Sequence, residues 1–175
     1  MNMENTIKML ESCLDDPREG LPEPVFLFIS RITPLINVDL LIKNKNDETL
    51  LFWRDDGYYR PGWHIPGGII RYKETAVDRI KATAKAELGA DVAFDPRPLS
   101  IAEIIDPERK ERGHFISLLY RCTLTSAPRE DLRYTGGIAH TGEWMWHATC
   151  PADLLDVHKI YRQFIDAGFA EGDAP

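Results

Sequence analysis

This chain of 175 residues has few cysteines, no long apolar run and no cluster of basic residues. Each of these features argues against a class of function. Cys13, Cys122 and Cys150 lie far apart and form no CxxC pair, which predicts reduced thiols in a cytoplasmic protein. No apolar stretch approaches the roughly 20 residues needed to cross a bilayer, and residues 1–16 lack the basic and apolar regions of a signal peptide. We therefore expect a cytoplasmic protein with no membrane partner.

The charge balance argues against a second class of function. Lys and Arg together number 21 against 28 Asp and Glu, which gives a net charge of −7. Because an acidic surface repels the phosphate backbone and no Lys/Arg-rich run offsets it, we expect no nucleic-acid partner. The hydrophobic share of 43% and the charged share of 28% are ordinary for a globular protein, and the length suits one domain with a core of its own.

One long helix is predicted near the middle of the chain. The segment Thr75–Leu88 is rich in Ala and Lys, contains no Gly or Pro, and is followed by Gly89, a typical residue just after a helix end. Its apolar residues recur every three or four positions, as on the buried face of a helix. The residues expected to face the core are Val77, Ile80, Ala84 and Leu88.

Strands are predicted on both sides of this helix. They cover 34–42 and 49–53 before it, and 99–105, 115–124 and 143–147 after it. Residues 25–29 are apolar enough for a strand or a buried docking segment, 54–68 are predicted to form a loop, and 151–155 and 158–167 to form helices. This order predicts an α/β fold in which a mixed β-sheet is sandwiched between helices (α/β/α).

The chain divides into three parts. Residues 1–24 are predicted to be a helical or extended N-terminal segment, 25–168 the main domain, and 169–175 a frayed tail. Ile7, Leu10 and Leu14 make the first part more apolar than a free tail should be. We therefore expect the N-terminal segment to take part in contacts between subunits.

The pair Gly67-Gly68, followed by the predicted helix, indicates a ligand-binding site. Glycines let the backbone approach a ligand closely, and their carbonyls can act as metal ligands. The helix start directly after them favours an anion. Glu87 lies about three and a half turns along the helix, where its carboxylate could meet the Gly67 carbonyl across one cation. Hard oxygen ligands beside a diphosphate suit Mg²⁺.

The spacing of Gly68, Glu74, Glu87 and Gly89 resembles the sequence box of the Nudix hydrolases. The resemblance covers roughly residues 25–165 and is strongest over 31–89. Beyond the box it is carried by Asp39 and by the segments 30–35, 50–54, 63–68, 114–123 and 143–146. It implies the Nudix fold.

The second half of the box departs from the usual pattern. An Arg-Glu pair and a double Glu usually stand where this chain has Ala82, Thr83, Ala86 and Glu87. Two carboxylates are therefore missing. The chain is more similar to the branch that includes GDP-mannose mannosyl hydrolase, in which the box is thinned to one metal carboxylate.

This narrower resemblance implies roles for individual residues. Gly67 and Glu87 would hold Mg²⁺, with Mn²⁺ as a substitute, and Arg54 would act on the diphosphate of a nucleotide substrate, with Arg71 as a second diphosphate contact. Asp39 is either a substrate contact or a satisfied buried polar group.

The general base is expected to be His140, although an ordinary loop histidine is an alternative. The family's Gln-His pair is not intact, because Ala139 precedes His140. Ile69 stands where the related enzymes carry an Arg that holds the departing diphosphate.

Three functions remain open at this point. The leading one is Mg²⁺-dependent hydrolysis of a nucleoside diphosphate sugar such as GDP-mannose, which releases the sugar and the nucleoside diphosphate. The second is a conventional Nudix pyrophosphohydrolase that recruits Glu103 or Glu143, and the third is a nucleotide-binding Nudix domain without turnover. The resemblance also implies a homodimer, since in the related enzymes the N-terminal region crosses between subunits.

Overall fold

The computed structural model describes residues 2–168; the predicted frayed tail, 169–175, lies outside the described residues. In chain order the elements are α1 (Met3–Glu11), α2 (Glu23–Ile29), β1 (Leu35–Ile42), β2 (Thr49–Arg54), β3 (Gly62–His64), β4 (Gly67–Ile69), α3 (Ala76–Thr83), a π-helical turn (Ala84–Leu88), β5 (Val92–Phe94), β6 (Ser100–Ile105), β7 (His114–Leu124), a 3₁₀ turn (Glu130–Leu132), β8 (Trp144–His147), a 3₁₀ segment (Asp156–Tyr161) and α4 (Arg162–Asp166).

Two sheets form the centre of the protein. In the larger one, β1 runs parallel to β7 and antiparallel to β4, which lies at the edge. The strands β5 and β6 both pair antiparallel with β7. The smaller sheet is antiparallel, in the order β3-β2-β8. The larger sheet is therefore mixed, as the sequence predicts.

Neighbouring residues of β1 face two separate hydrophobic clusters. Val38 and Leu40 pack in one cluster with Ile80 of α3. Leu41 packs in the other with Ile165 of α4. Because successive side chains of a strand point to opposite faces, one helix covers each face of the sheet. The predicted α/β/α sandwich is confirmed.

The helix α3 begins and closes where the sequence predicts. The Thr75 hydroxyl caps its start by accepting a hydrogen bond from the Asp78 N–H at 3.1 Å. Gly89, with φ of +66°, follows its end in the left-handed conformation that glycine adopts at low cost. The last turn, however, is π-helical, a wider turn that is often found at functional sites. Glu87 lies in this turn.

The prediction that Val77 faces the core is wrong, because its side chain is 43% exposed. The buried row of the helix has a strict spacing of four residues, and it starts one residue earlier than predicted. The row consists of Ala76, Ile80, Ala84 and Leu88, all packed in the same cluster.

Two segments differ from the predicted secondary structure. Residues 25–29 belong to the helix α2, so the strand alternative is wrong; Pro22 and Pro24 lie at its first turn, where a missing N–H costs nothing. The predicted loop 54–68 contains the short strands β3 and β4. At three residues each, these strands are too short to show a periodicity of two.

The helix predicted for 151–155 is also wrong. Leu154 instead forms an isolated parallel bridge with Trp63 of β3. The Trp63 N–H donates to the Asp153 carbonyl at 3.0 Å, and the Leu155 N–H donates to the Trp63 carbonyl at 2.8 Å. The segment therefore extends the smaller sheet, a pairing that local sequence cannot reveal. The helical prediction for 158–167 is confirmed by the 3₁₀ segment and α4.

No helix among residues 2–168 combines the length and the apolar character needed to span a membrane. The helix α1 buries none of its residues, and Met3, Ile7 and Met9 are exposed. The homodimer and the role of the N-terminal segment in it stay predictions.

Replacing two threonines of the helix α3 and its N-cap with valine should change stability in opposite directions. The Thr83 hydroxyl is buried and has no hydrogen-bond partner among the described residues, so Thr83→Val should stabilise the fold by about 1 kcal/mol. Thr75→Val removes the capping hydroxyl and should destabilise it by about 1 kcal/mol. Urea unfolding of the two variants measures both changes. Destabilisation by Thr83→Val would show that its hydroxyl has a partner in solution.

Candidate functional site

An open cleft of about 170 Å³ lies at the β4 edge of the larger sheet. The loop before β7 and the 3₁₀ segment before α4 contribute residues to its wall. Polar side chains from five parts of the chain meet in it. Among the residues that line it are Asp39, Arg54, His64, Gly67, Arg112 and His158.

Gly67 and Gly68 allow β4 to lie unusually close to two neighbours. A Cβ atom on Gly67 would collide with the Asp39 carboxylate, and one on Gly68 would collide with the Thr83 hydroxyl of α3. Only glycine fits between β1 and the helix at these positions. The two glycines therefore set the distance between the strand, the carboxylate and the helix that carries Glu87.

The carbonyl group of Gly67 points away from β1. Leu40 N–H donates to the Pro66 carbonyl at 2.9 Å, so Gly67, which lies opposite Asp39 one residue further along, belongs to a pair without ladder hydrogen bonds. No strand flanks β4 on its other side in the part of the chain that the structure describes. The carbonyl oxygen is therefore available to a ligand, which fits the role that the resemblance implies.

Glu87 faces a histidine that the sequence analysis did not single out. Its Oε2 lies 3.8 Å from His64 Nε2, and their side chains are 30% and 12% exposed. His64 Nδ1 donates to the Phe52 carbonyl at 2.9 Å, because a carbonyl oxygen can only accept. In the neutral ring, Nε2 therefore carries a lone pair on the side of Glu87.

A sequence signal for His64 did exist. It stands between Trp63 and Ile65, which are both buried in one hydrophobic cluster. Because alternate residues of an extended segment share a face, the histidine is the residue that points to the opposite face. There it lines the cleft.

Few side chains that could bind a metal lie near Glu87. Among residues 2–168, no three His, Cys, Asp or Glu side chains lie close enough to hold a metal ion. The helix supplies Glu87 alone, since Thr83 and Ala86 have no carboxylate. The Glu87 carboxylate, the Gly67 carbonyl and His64 Nε2 would hold such a cation, with ligand or water oxygens completing its shell.

Asp39 lies at the floor of the cleft and is 2% exposed. It accepts hydrogen bonds from Asn37 Nδ2 at 2.8 Å, from the Tyr161 hydroxyl at 2.8 Å and from the Ser117 hydroxyl. Burial raises the pKa of this carboxyl group, and the three hydrogen bonds act against that rise. Asp39 is thus a satisfied buried polar group, and its contact with a substrate stays a prediction.

Two guanidinium groups line the cleft. Arg54, at the end of β2, pairs with Asp56 through Nε and Oδ2 at 2.6 Å. Arg112 comes from the loop before β7, and burial lowers its pKa. No sequence signal marks Arg112, because it is one of several charged residues in the same loop and its place in the cleft depends on a contact with Ser30 at the end of α2.

Two residues predicted to act at the site do not line this cleft. Arg71 donates from Nη1 to the Arg18 carbonyl at 3.2 Å and lies 4.0 Å from the Glu19 carboxylate. His140 is exposed on the loop before β8, where its N–H donates to the Glu143 carboxylate at 2.7 Å. Their roles toward a substrate stay predictions.

His158 is a second histidine in the cleft wall, and it is held neutral. Its Nδ1 accepts a hydrogen bond from the Ile65 N–H at 2.9 Å, so the proton of the ring lies on Nε2. Burial lowers its pKa to about 3, with the neighbouring His64 and Arg54 acting in the same direction. His158 can therefore donate a hydrogen bond into the cleft but cannot accept a proton at neutral pH.

No family model matches this sequence. Among curated proteins, the low-salt glycan biosynthesis protein Agl8 of Haloferax volcanii is similar to this chain. It is 29% identical over 113 residues, which cover 63% of this chain and 72% of the relative. The similarity spans most of both chains.

Solved structures identify the fold. A MutT Nudix hydrolase from Burkholderia pseudomallei superposes with a TM-score of 0.58 at 21% identity, over 75% of this chain and 97% of that one. A chain described as a possible asymmetric diadenosine tetraphosphate hydrolase from Jonesia denitrificans superposes with a TM-score of 0.57 at 18% identity, over 74% and 90%. The protein therefore has the Nudix fold that its sequence predicts.

The buried, neutral state of His158 predicts a pH dependence of stability. Its folded pKa of about 3 lies below the ordinary value of 6.5, so the unfolded chain binds a proton that the folded protein does not between these values. Above pH 6.5 the titration of His158 does not lower the free energy of unfolding. Below pH 6.5 it lowers the free energy of unfolding by about 1.4 kcal/mol per pH unit.

His158→Gln keeps an acceptor for the Ile65 N–H and removes this titration. Urea unfolding at pH 7, 6 and 5 should therefore show a shallower loss of stability in the variant than in the wild type. Equal slopes for wild type and His158→Gln would contradict the neutral, desolvated state.

Proposed function

We propose that the protein hydrolyses a nucleoside diphosphate sugar, GDP-mannose or a relative, and releases the sugar and the nucleoside diphosphate. One observation carries the proposal: the cleft joins Arg54, Asp39 and the Gly67 backbone beside a helix that offers a single carboxylate, Glu87. The hydrolases among the structures with the same fold support a hydrolase. The name of the Haloferax volcanii relative supports a substrate that contains a sugar.

The charge of the cleft suits a diphosphate as the leaving group. The Arg54 guanidinium can bind two phosphate oxygens at once, and it lines the cleft together with Gly67. Mg²⁺, or Mn²⁺ in its place, would neutralise part of the charge that develops on the diphosphate. Arg71 lines a neighbouring pocket that shares Ile69 with the cleft, so we retain it as a second contact to the substrate.

The number of carboxylates favours cleavage at the sugar carbon. Attack of water on phosphorus is best assisted by clustered metals, which need several carboxylates. At two positions where the usual Nudix box has carboxylates, this chain has Thr83 and Ala86. Thr83 is buried against Gly68. With Glu87 alone, the chain is better suited to stabilising a departing diphosphate than to activating water.

A protein base is then needed for the attacking water, and we propose His140. The loop that carries it docks beside Arg54: the Thr141 hydroxyl donates to the Asp55 carbonyl at 3.0 Å, and the Gly142 N–H donates to the Trp53 carbonyl at 3.0 Å. The loop is thus tied to the end of β2, next to a cleft residue. His140 itself is exposed, so it is free to turn toward a bound substrate.

A conventional pyrophosphohydrolase is the second candidate. The similarity in fold to a MutT Nudix hydrolase favours it, and it requires carboxylates recruited from outside α3. Glu103 and Glu143 are the candidates from the sequence. Glu103 lies 3.3 Å from His114, and Glu143 accepts a hydrogen bond from the His140 N–H. Both are therefore already engaged within the protein.

Glu87→Gln tests the metal assignment. It keeps the size of the side chain and removes the charge that a hard cation needs, so kcat/KM for GDP-mannose should fall by about 100-fold or more. The unfolding midpoint should stay near that of the wild type. Glu108→Gln, which changes an exposed carboxylate, serves as the matched control. Normal turnover with unchanged Mg²⁺ dependence in Glu87→Gln would refute the assignment.

Hydrolysis in ¹⁸O-labelled water shows which bond breaks. Attack at the sugar carbon places the label on the anomeric hydroxyl of the sugar, and mass spectrometry of the products detects it there. Label on phosphate would refute the proposed reaction and favour the pyrophosphohydrolase. If His140 is the base, His140→Ala should lower kcat far more than it weakens binding of the substrate.

A further inference from the structure

Arg112 is a partly buried cation that forms no ion pair with the described residues. Its Nε is shielded from solvent and has no hydrogen-bond partner among the described residues. None of the ion pairs within residues 2–168 involves its guanidinium, although Glu111 beside it pairs with Arg31. A charge in such a place lowers stability unless something compensates it. The fold therefore keeps this cation for a reason other than its own stability.

Aromatic rings supply the contacts that the guanidinium does make. Its Cζ lies 4.8 Å from the centre of the Tyr58 ring and 5.8 Å from that of Phe26. Such contacts compensate only part of the lost hydration. The nearby carboxylate of Asp56 is already bound to Arg54 at 2.6 Å. Arg54 and Arg112 consequently leave an excess of positive charge on this side of the cleft.

The backbone of Arg112 is fixed in an unfavourable conformation. Its φ is +54°, in the left-handed region that residues with a side chain rarely adopt. The Arg112 N–H donates to the Ser30 hydroxyl at 3.2 Å, and Ser30 is buried at the end of α2. Strain of this kind is typical of positions that hold a group ready for a ligand.

The cleft has few other cations to offer. Among the described residues that line it, Arg54 and Arg112 are the only Lys or Arg side chains. Ile69 makes the wall beside the Gly-Gly pair apolar, and the buried His158 is neutral. An anion that enters the cleft can therefore be held by these two guanidinium groups together.

We propose that Arg112 binds the diphosphate group of the substrate, across the cleft from Arg54. The nucleotide sugar as substrate rests on the proposed function, whereas binding of a diphosphate rests on the two guanidinium groups alone. Because the Arg112 Nε is already shielded from solvent and its backbone is already held by Ser30, little ordering remains to be done when the anion binds. Charge-assisted hydrogen bonds to phosphate oxygens then satisfy the Nε and the rest of the guanidinium.

Isothermal titration of the metal-free protein with inorganic diphosphate tests this proposal. Arg112→Gln should weaken diphosphate binding by at least about tenfold. The matched control is Arg60→Gln, which removes an exposed guanidinium paired with Asp156 at 2.9 Å outside the cleft, and it should change the affinity less than about twofold. The unfolding midpoint of Arg112→Gln should be unchanged or raised, because an uncompensated charge has been removed.

Wild-type affinity in Arg112→Gln, or no diphosphate binding by the wild-type protein, would overturn the proposal. Should Arg112→Gln fail to fold, ¹⁵N spectra of the wild-type arginine Nε groups provide the second measurement. The signal that disappears in Arg112→Lys must then shift when diphosphate is added, and a static signal would overturn the proposal. Turnover of GDP-mannose is measured separately. Diphosphate binding that depends on Arg112 without turnover would refute the proposed function and leave this site intact.

Discussion

The close approach of β4 to its two neighbours is the constraint on which the site depends. Gly67 lies against the Asp39 carboxylate of β1, and Gly68 lies against Thr83 of α3. A side chain at either position would push the edge strand away from the sheet or from the helix. The same approach leaves the Gly67 carbonyl on the open edge and keeps the helix that carries Glu87 close to β4 and to His64 of the cleft wall.

Much of the framework could be predicted because it depends on local sequence. Both ends of the helix between Thr75 and Gly89 could be predicted, since an N-cap hydroxyl and a left-handed glycine are local signals. The long strands β1 and β7 were equally clear, because each is at least eight residues long and most of its residues are apolar. Such features need no knowledge of distant contacts.

The features that sequence reasoning missed all depend on distant contacts. Leu154 lies in an extended segment because it bridges to Trp63, and the charged loop residue Arg112 reaches the cleft because Ser30 holds its backbone. His64 lines the cleft because β2 fixes its ring through the Phe52 carbonyl. In each case the partner lies more than ten residues away. No local signal marks Leu154 or Arg112, and for His64 the alternation with Trp63 and Ile65 indicates only the face on which it lies.

The loop that carries Arg112 joins the strands β6 and β7 and contacts the end of α2 and the segment after β2. Loops of this kind tolerate insertions and substitutions far better than the strands that they connect. The charge on this wall of the cleft can therefore change in the course of evolution without disturbing Gly67, Gly68 or the helix. In this architecture, preference for more or less highly charged ligands is a property that selection can adjust separately from the fold.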